Sequence, residues 1–195
     1  MEEIQCQRVT RYLAKLYLDA YLLSAKAVPT SQLQRFGISS IKLAVKVHPH
    51  SIQFNESFEY PVAQAQQSTG MQYSRQEILD GEDTLMLTMK FKMRLSTPYC
   101  YIKNVRELVP ISDEILFNQL EMLVEYCAML PELVGYSSGE VLFAILLYLC
   151  KLRNITQQVQ QIVLALAARW PNLEQTSELI RVRLEQDNAT LALDS

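Results

Sequence analysis

Apolar residues recur along this chain at intervals of three and four, the spacing that places side chains on one face of an α-helix. Over residues 3–24 the repeat is Val9, Tyr12, Leu13, Leu16, Tyr17 and Leu23, which predicts a first helix with one apolar face. Pro29 restarts the chain. Ser31 with Gln34 three residues on has the form of a capping box, and Leu33, Ile38, Ile41, Ala44 and Val45 carry a second helix to about Val47, before Pro49. Periodicity then fades, with a short helix predicted over 62–67 after Pro61. Ser74 with Glu77 is a stronger capping box. It opens a helix through Ile78, Leu79, Leu85, Met86, Met89 and Met93 that stops before Pro98.

Ser96-Thr97-Pro98 marks a junction, because proline suits a helix start and not its interior. Beyond it a helix is predicted from Tyr99 to about Leu108, followed by one capped by Ser112 that carries Ile115, Leu116, Leu120, Leu123, Val124, Cys127 and Leu130. Ser137 with Glu140 reads as another capping box, opening a helix over 141–152 that is apolar nearly all round and so central in its bundle. Two further helices follow, around 157–169 and 172–186, with residues 188–195 expected to fray. The pattern predicts an all-α chain of two bundles, 1–95 and 96–195. No period of helical-repeat length passes from one half to the other.

Composition agrees with a packed helical protein: 49% of residues are hydrophobic, with five glycines and seven prolines in 195. A net charge of −3 without a lysine or arginine cluster gives no footprint for nucleic acid. The longest apolar run, 141–150, is half of the roughly 20 residues a bilayer span needs, so no membrane partner is expected. Met1-Glu2-Glu3 is unlike a signal peptide, and Cys6, Cys100, Cys127 and Cys150 are widely spaced thiols that suit a reducing compartment, the nucleus or cytoplasm.

Catalytic chemistry has little to work with. His48 and His50, the only histidines, flank a proline after a helix end, with no further metal ligands at a familiar spacing. The glycines at 37, 70, 81, 135 and 139 make no phosphate-binding loop. No catalytic residue, metal or cofactor is expected. Lys42 and Lys46, four apart, read by themselves as a solvated helix face, and Glu82 as part of a surface Asp-Gly-Glu-Asp cluster.

Three stretches change that reading: Tyr17-Leu18-Asp19-Ala20-Tyr21-Leu22; Gln32-Leu33-Gln34-Arg35-Phe36-Gly37-Ile38 continuing to Leu43-Ala44-Val45-Lys46; and Tyr73-Ser74-Arg75-Gln76-Glu77-Ile78-Leu79 leading to Glu82, Phe91 and Thr97-Pro98. In order and spacing they resemble the cyclin box. Tyr136-Ser137-Ser138, opening an apolar helix, is similar to the start of the second box of A-, B- and D-type cyclins. The resemblance, over about 10–185, implies a regulatory subunit, not an enzyme, that forms a heterodimer with a cyclin-dependent protein kinase. It implies that Lys46 and Glu82 reach backbone groups of the kinase, with Leu43, Val47, Met86 and Phe91 as apolar neighbours, and that Leu33 and Gln34 are what remains of the groove for short substrate motifs.

Against the family pattern, the first helix of the box is missing, with the arginine that would pair with Asp19. Arg35 replaces an apolar residue, Ala20 an arginine, and His48-Pro49 two glutamates. A divergent, N-terminally shortened cyclin is expected, for which kinase binding follows more directly than activation. The alternatives are a cyclin-fold adaptor in a transcription or other protein complex, and a small helical enzyme using His48 or His50.

Overall fold

The structure, a computed structural model, describes residues 2–25, 28–48, 73–108, 114–155, 157–166 and 168–187. The readings made for 62–67, Ser112, His50 and 188–195 lie outside these residues. All regular structure among them is helical: α1 (Glu2–Ser24), α2 (Thr30–Val47), α3 (Arg75–Thr88), α4 (Pro98–Leu108), α5 (Glu114–Ala128), a 3-10 turn (Pro131–Leu133), α6 (Ser138–Leu152), α7 (Gln157–Leu166) and α8 (Leu173–Gln186). They fall into two compact units, Met1–Leu95 and Ser96–Ser195.

In the first unit α1, α2 and α3 pack against one another. The stripes predicted for α1 and α2 meet there: Leu13, Ala14, Tyr17, Phe36, Leu43, Ala44 and Leu85 form the core, and Tyr21, Val47, Met86, Met93 and Leu95 close its edges. Full burial of a side chain the size of leucine or phenylalanine contributes about 1.5–3 kcal/mol. Leu23 falls off this stripe and is exposed. Tyr17 is fully buried, and its hydroxyl donates to the Met93 carbonyl at 2.5 Å. Burial pushes its pKa well above the usual tyrosine range.

Local signals were read with mixed success. α2 begins two residues earlier than the Ser31 box requires, with Pro29 and not Ser31 at its N-cap and without a side-chain cap. α3 has the full capping box: the Ser74 hydroxyl accepts from the Glu77 amide, and the Glu77 carboxylate accepts from the Ser74 amide at 2.8 Å. Instead of running to Met93, α3 stops at Thr88. Lys90 and Phe91 turn left-handed, φ 51° and 60°. The Phe91 amide donates back to the Met86 carbonyl at 2.9 Å and that of Lys90 to Leu87 at 3.0 Å. This is the crossed bonding of a Schellman stop, with lysine where glycine is usual.

In the second unit α6 is buried nearly all round and packs against α4, α5, α7 and α8, as its unbroken apolar run requires. Its cap is half a box. The Ser137 hydroxyl accepts from the Glu140 amide at 3.2 Å, but the Glu140 carboxylate accepts from the Thr176 hydroxyl at 3.3 Å, joining α6 to α8. A Cβ on Gly139 would lie 2.3 Å from the Trp170 ring, which Phe143 and Arg169 also contact. Asn154, with φ 50°, ends α6 in a second Schellman stop. The buried Cys150 thiol is pushed up to about 11.

Candidate functional site

The site stands where α2 meets α3. Two small features let the helices approach: a Cβ on Gly81 would lie 2.3 Å from Ser39 Oγ, and that hydroxyl donates to the Ile78 carbonyl at 2.9 Å. Glycine at 81 therefore brings the neighbouring Glu82 against α2. One carboxylate oxygen, Oε2, accepts from the Lys46 ammonium, and the other, Oε1, lies 3.6 Å from the Lys42 ammonium. Lys42 and Lys46 are one helical turn apart, so α2 offers both cations on one face.

Burial separates the three charges. The side chains of Glu82 and Lys42 are 3% and 8% exposed, whereas that of Lys46 is 44% exposed. The solvated lysine face and surface glutamate expected from the sequence are thus corrected for Lys42 and Glu82. A carboxylate taken out of water needs compensating partners, and α2 supplies two. The group keeps a net positive charge. Oε1 makes no hydrogen bond among the described residues, so a buried acceptor remains beside a half-exposed ammonium. Of the three charges, the Lys46 ammonium is the one exposed enough to donate to a backbone C=O of another polypeptide.

The remaining candidates divide by depth. Leu43 is a core residue, 3% exposed, and holds α2 in place instead of facing a partner. Val47 and Met86 are half-buried at the edge of that core, with Met86 one turn beyond Glu82 on the same face of α3. Phe91 is 65% exposed on the left-handed turn. Such backbone costs about 1–3 kcal/mol per non-glycine residue and is kept where the surroundings enforce it. Leu33 and Gln34 are half-buried in the first turns of α2, where the Tyr73 hydroxyl lies 3.5 Å from Gln34 Oε1. Asp19, expected to lack a partner, pairs with Lys15 at 2.5 Å, because four residues is the helical spacing for such a pair.

Three features escaped the sequence reading. Lys42 looked like any exposed lysine until Glu82 was placed beside it. Gly81 and Ser39 carry no motif, and their role appears only once α2 and α3 are packed. Lys90, Lys92 and Arg94 were passed over as a cluster because apolar residues separate them, yet all three are exposed on one turn. Among the described residues no three His, Cys, Asp or Glu side chains gather as a metal site would need, and no helix is long and apolar enough to cross a membrane.

The family profile for the cyclin N-terminal domain matches residues 1–94, nearly the whole of the first unit. The first unit is a cyclin-type N-terminal domain. The chain is 30% identical over 127 residues to Cyclin-A1-3 of Oryza sativa subsp. japonica, a stretch covering 65% of the chain and 24% of that relative. It is 28% identical to Cyclin-A1-1 of Arabidopsis thaliana over 65% of the chain and 26% of the relative. With Cyclin-A2 of Xenopus laevis the identity is 27%, over 58% of the chain and 26% of the relative. The matched part of the chain therefore corresponds to about a quarter of each of these relatives' length. No solved structure matches the chain.

Proposed function

We propose that this chain is a cyclin-type regulatory subunit that binds a cyclin-dependent protein kinase as a heterodimer in cell-cycle control. The observation that carries the reading is the buried Glu82 carboxylate holding the half-exposed Lys46 ammonium at the meeting of α2 and α3. A grip of this kind binds backbone groups and so tolerates sequence change in the partner, while Val47, Met86 and Phe91 supply apolar area around it. The second unit is read as the second cyclin-like bundle. Residence in the nucleus or cytoplasm belongs to the same proposal.

Binding and activation separate here. His48 and Pro49 replace the two glutamates expected after Lys46, so the grip is present without that acidic extension. The test is capture of purified cyclin-dependent kinases by the full chain, with phosphorylation of a generic substrate measured alongside. At least one kinase is retained, and Lys46→Ala weakens retention about tenfold or more, as expected for loss of a charge-assisted bond at an interface. A panel from which no kinase is retained sinks the proposal.

A further inference from the structure

We propose that the turn after α3, residues 90–94, is a docking surface for a short acidic segment of a protein partner, with Phe91 as its apolar anchor. Lys90, Lys92 and Arg94 are all exposed there, and none makes an ion pair among the described residues. Phe91 stands between the first two at 65% exposure, and Leu87, four residues earlier, is 64% exposed. Three cations around two large apolar side chains form a surface complementary to carboxylates that flank an apolar residue.

The surface is preorganised. The Schellman bonds fix Lys90 and Phe91, the Lys92 amide donates to the Met89 carbonyl at 3.0 Å, and the Tyr17 phenol holds the Met93 carbonyl. Met93 and Leu95 anchor the same strand of chain in the core, so Lys92 and Arg94, alternating with them, stay outward. A bound segment does not have to order this backbone. The charge distribution favours a short acidic stretch over a long polyanion, because exposed Asp80 and Asp83 lie one to three turns back along α3 and repel a phosphate backbone continuing past the turn.

The inference rests on the proposed function, since Phe91 belongs to the apolar area assigned there to the kinase: the acidic segment is one that the same partner presents beside the Lys46 grip. The test uses the full chain and a fluorescein-labelled peptide of alternating Glu and Leu, followed by anisotropy. Its controls are the same peptide with Gln for Glu, single-stranded DNA, and phosphatidylserine vesicles. The acidic peptide binds, added salt weakens it, and Lys90→Glu with Lys92→Glu and Arg94→Glu lowers affinity about tenfold or more. Phe91→Ala also lowers it, whereas Lys46→Ala leaves it unchanged. Equal binding of the Gln peptide, unchanged affinity in the triple variant, or binding of DNA or vesicles in place of the peptide overturns the proposal. Circular dichroism verifies the fold of each variant, and Lys92→Glu alone replaces the triple variant if that one unfolds. Loss of kinase capture with peptide binding intact counts against the Lys46 and Glu82 grip and leaves the turn standing.

Discussion

The Lys42 ammonium lies 3.6 Å from Glu82 Oε1, so the carboxylate that pairs with Lys46 also neutralises a second, buried lysine. Glu82 therefore has a structural duty besides any it has in binding. Replacing it takes the Glu82 counter-charge away from Lys42, which is 8% exposed.

Glu82→Ala is expected to destabilise the first unit by about 3 kcal/mol, the range for removing one partner of a buried pair. Lys46→Ala, on the half-exposed side, costs about 1 kcal/mol or less. Urea denaturation followed by circular dichroism separates them. Equal losses would mean that Lys42 is not the lysine that depends on Glu82. Lys46→Ala is consequently the cleaner probe of binding.

Gly81→Ala forces a methyl group into Ser39 Oγ, and α2 must shift away from α3. We expect a loss of about 1–3 kcal/mol from overpacking and weaker kinase capture, because Glu82 moves with Gly81. Adding Ser39→Gly restores part of both. A double variant no better than Gly81→Ala alone would remove this contact as the reason for the glycine.

Glu77 gives the first unit an acid-sensitive element. Hydrogen bonds from the Ser74 amide and then its hydroxyl hold its carboxyl below the ordinary value of 4.5 against the opposing effect of desolvation, with a lesser lowering from the Arg35 charge. The contribution is fully present above about 4.5 and is lost as pH falls through the lower folded value. Ser74→Ala should cost about 1 kcal/mol at neutral pH and give a shallower decline of stability in acid. Parallel acid limbs for the two proteins would contradict this assignment.

Lys90→Gly is expected to raise stability by about 1 kcal/mol, since glycine takes a φ of 51° without steric cost. The same change removes one cation of the turn and should weaken the acidic peptide. Thermal melts and anisotropy on one preparation measure both effects. A stability gain without a binding loss would exclude Lys90 from the docking surface.

The all-helical class was legible because each apolar stripe has the period of the element it forms. The Ser74 box was legible because both of its members lie within four residues. Where α3 ends was not, since Met89 and Met93 continue the stripe and neither glycine nor proline announces the left-handed turn at Lys90. The Lys46 and Glu82 site was named through the family pattern alone. Its burial, and the part played by Lys42, depend on residues 36 to 40 positions apart, which no local spacing reveals. Leu43, placed beside Lys46 by the family pattern, lies in the core, and a helix's inward stripe and an interface stripe have the same period.

Tyr17 and Met93 are joined across a separation of 76 residues. Contacts that close so long a span require a large loss of chain entropy before they form, and they are slow, late events in folding. The Schellman turn at Lys90 and Phe91 is closed by local bonds, whereas the stretch at Met93 that orients Lys92 and Arg94 is tied down only once α1 has docked. A chain that has not finished folding displays the cations of 90–94 without their geometry, which makes the docking surface a report on the folded state.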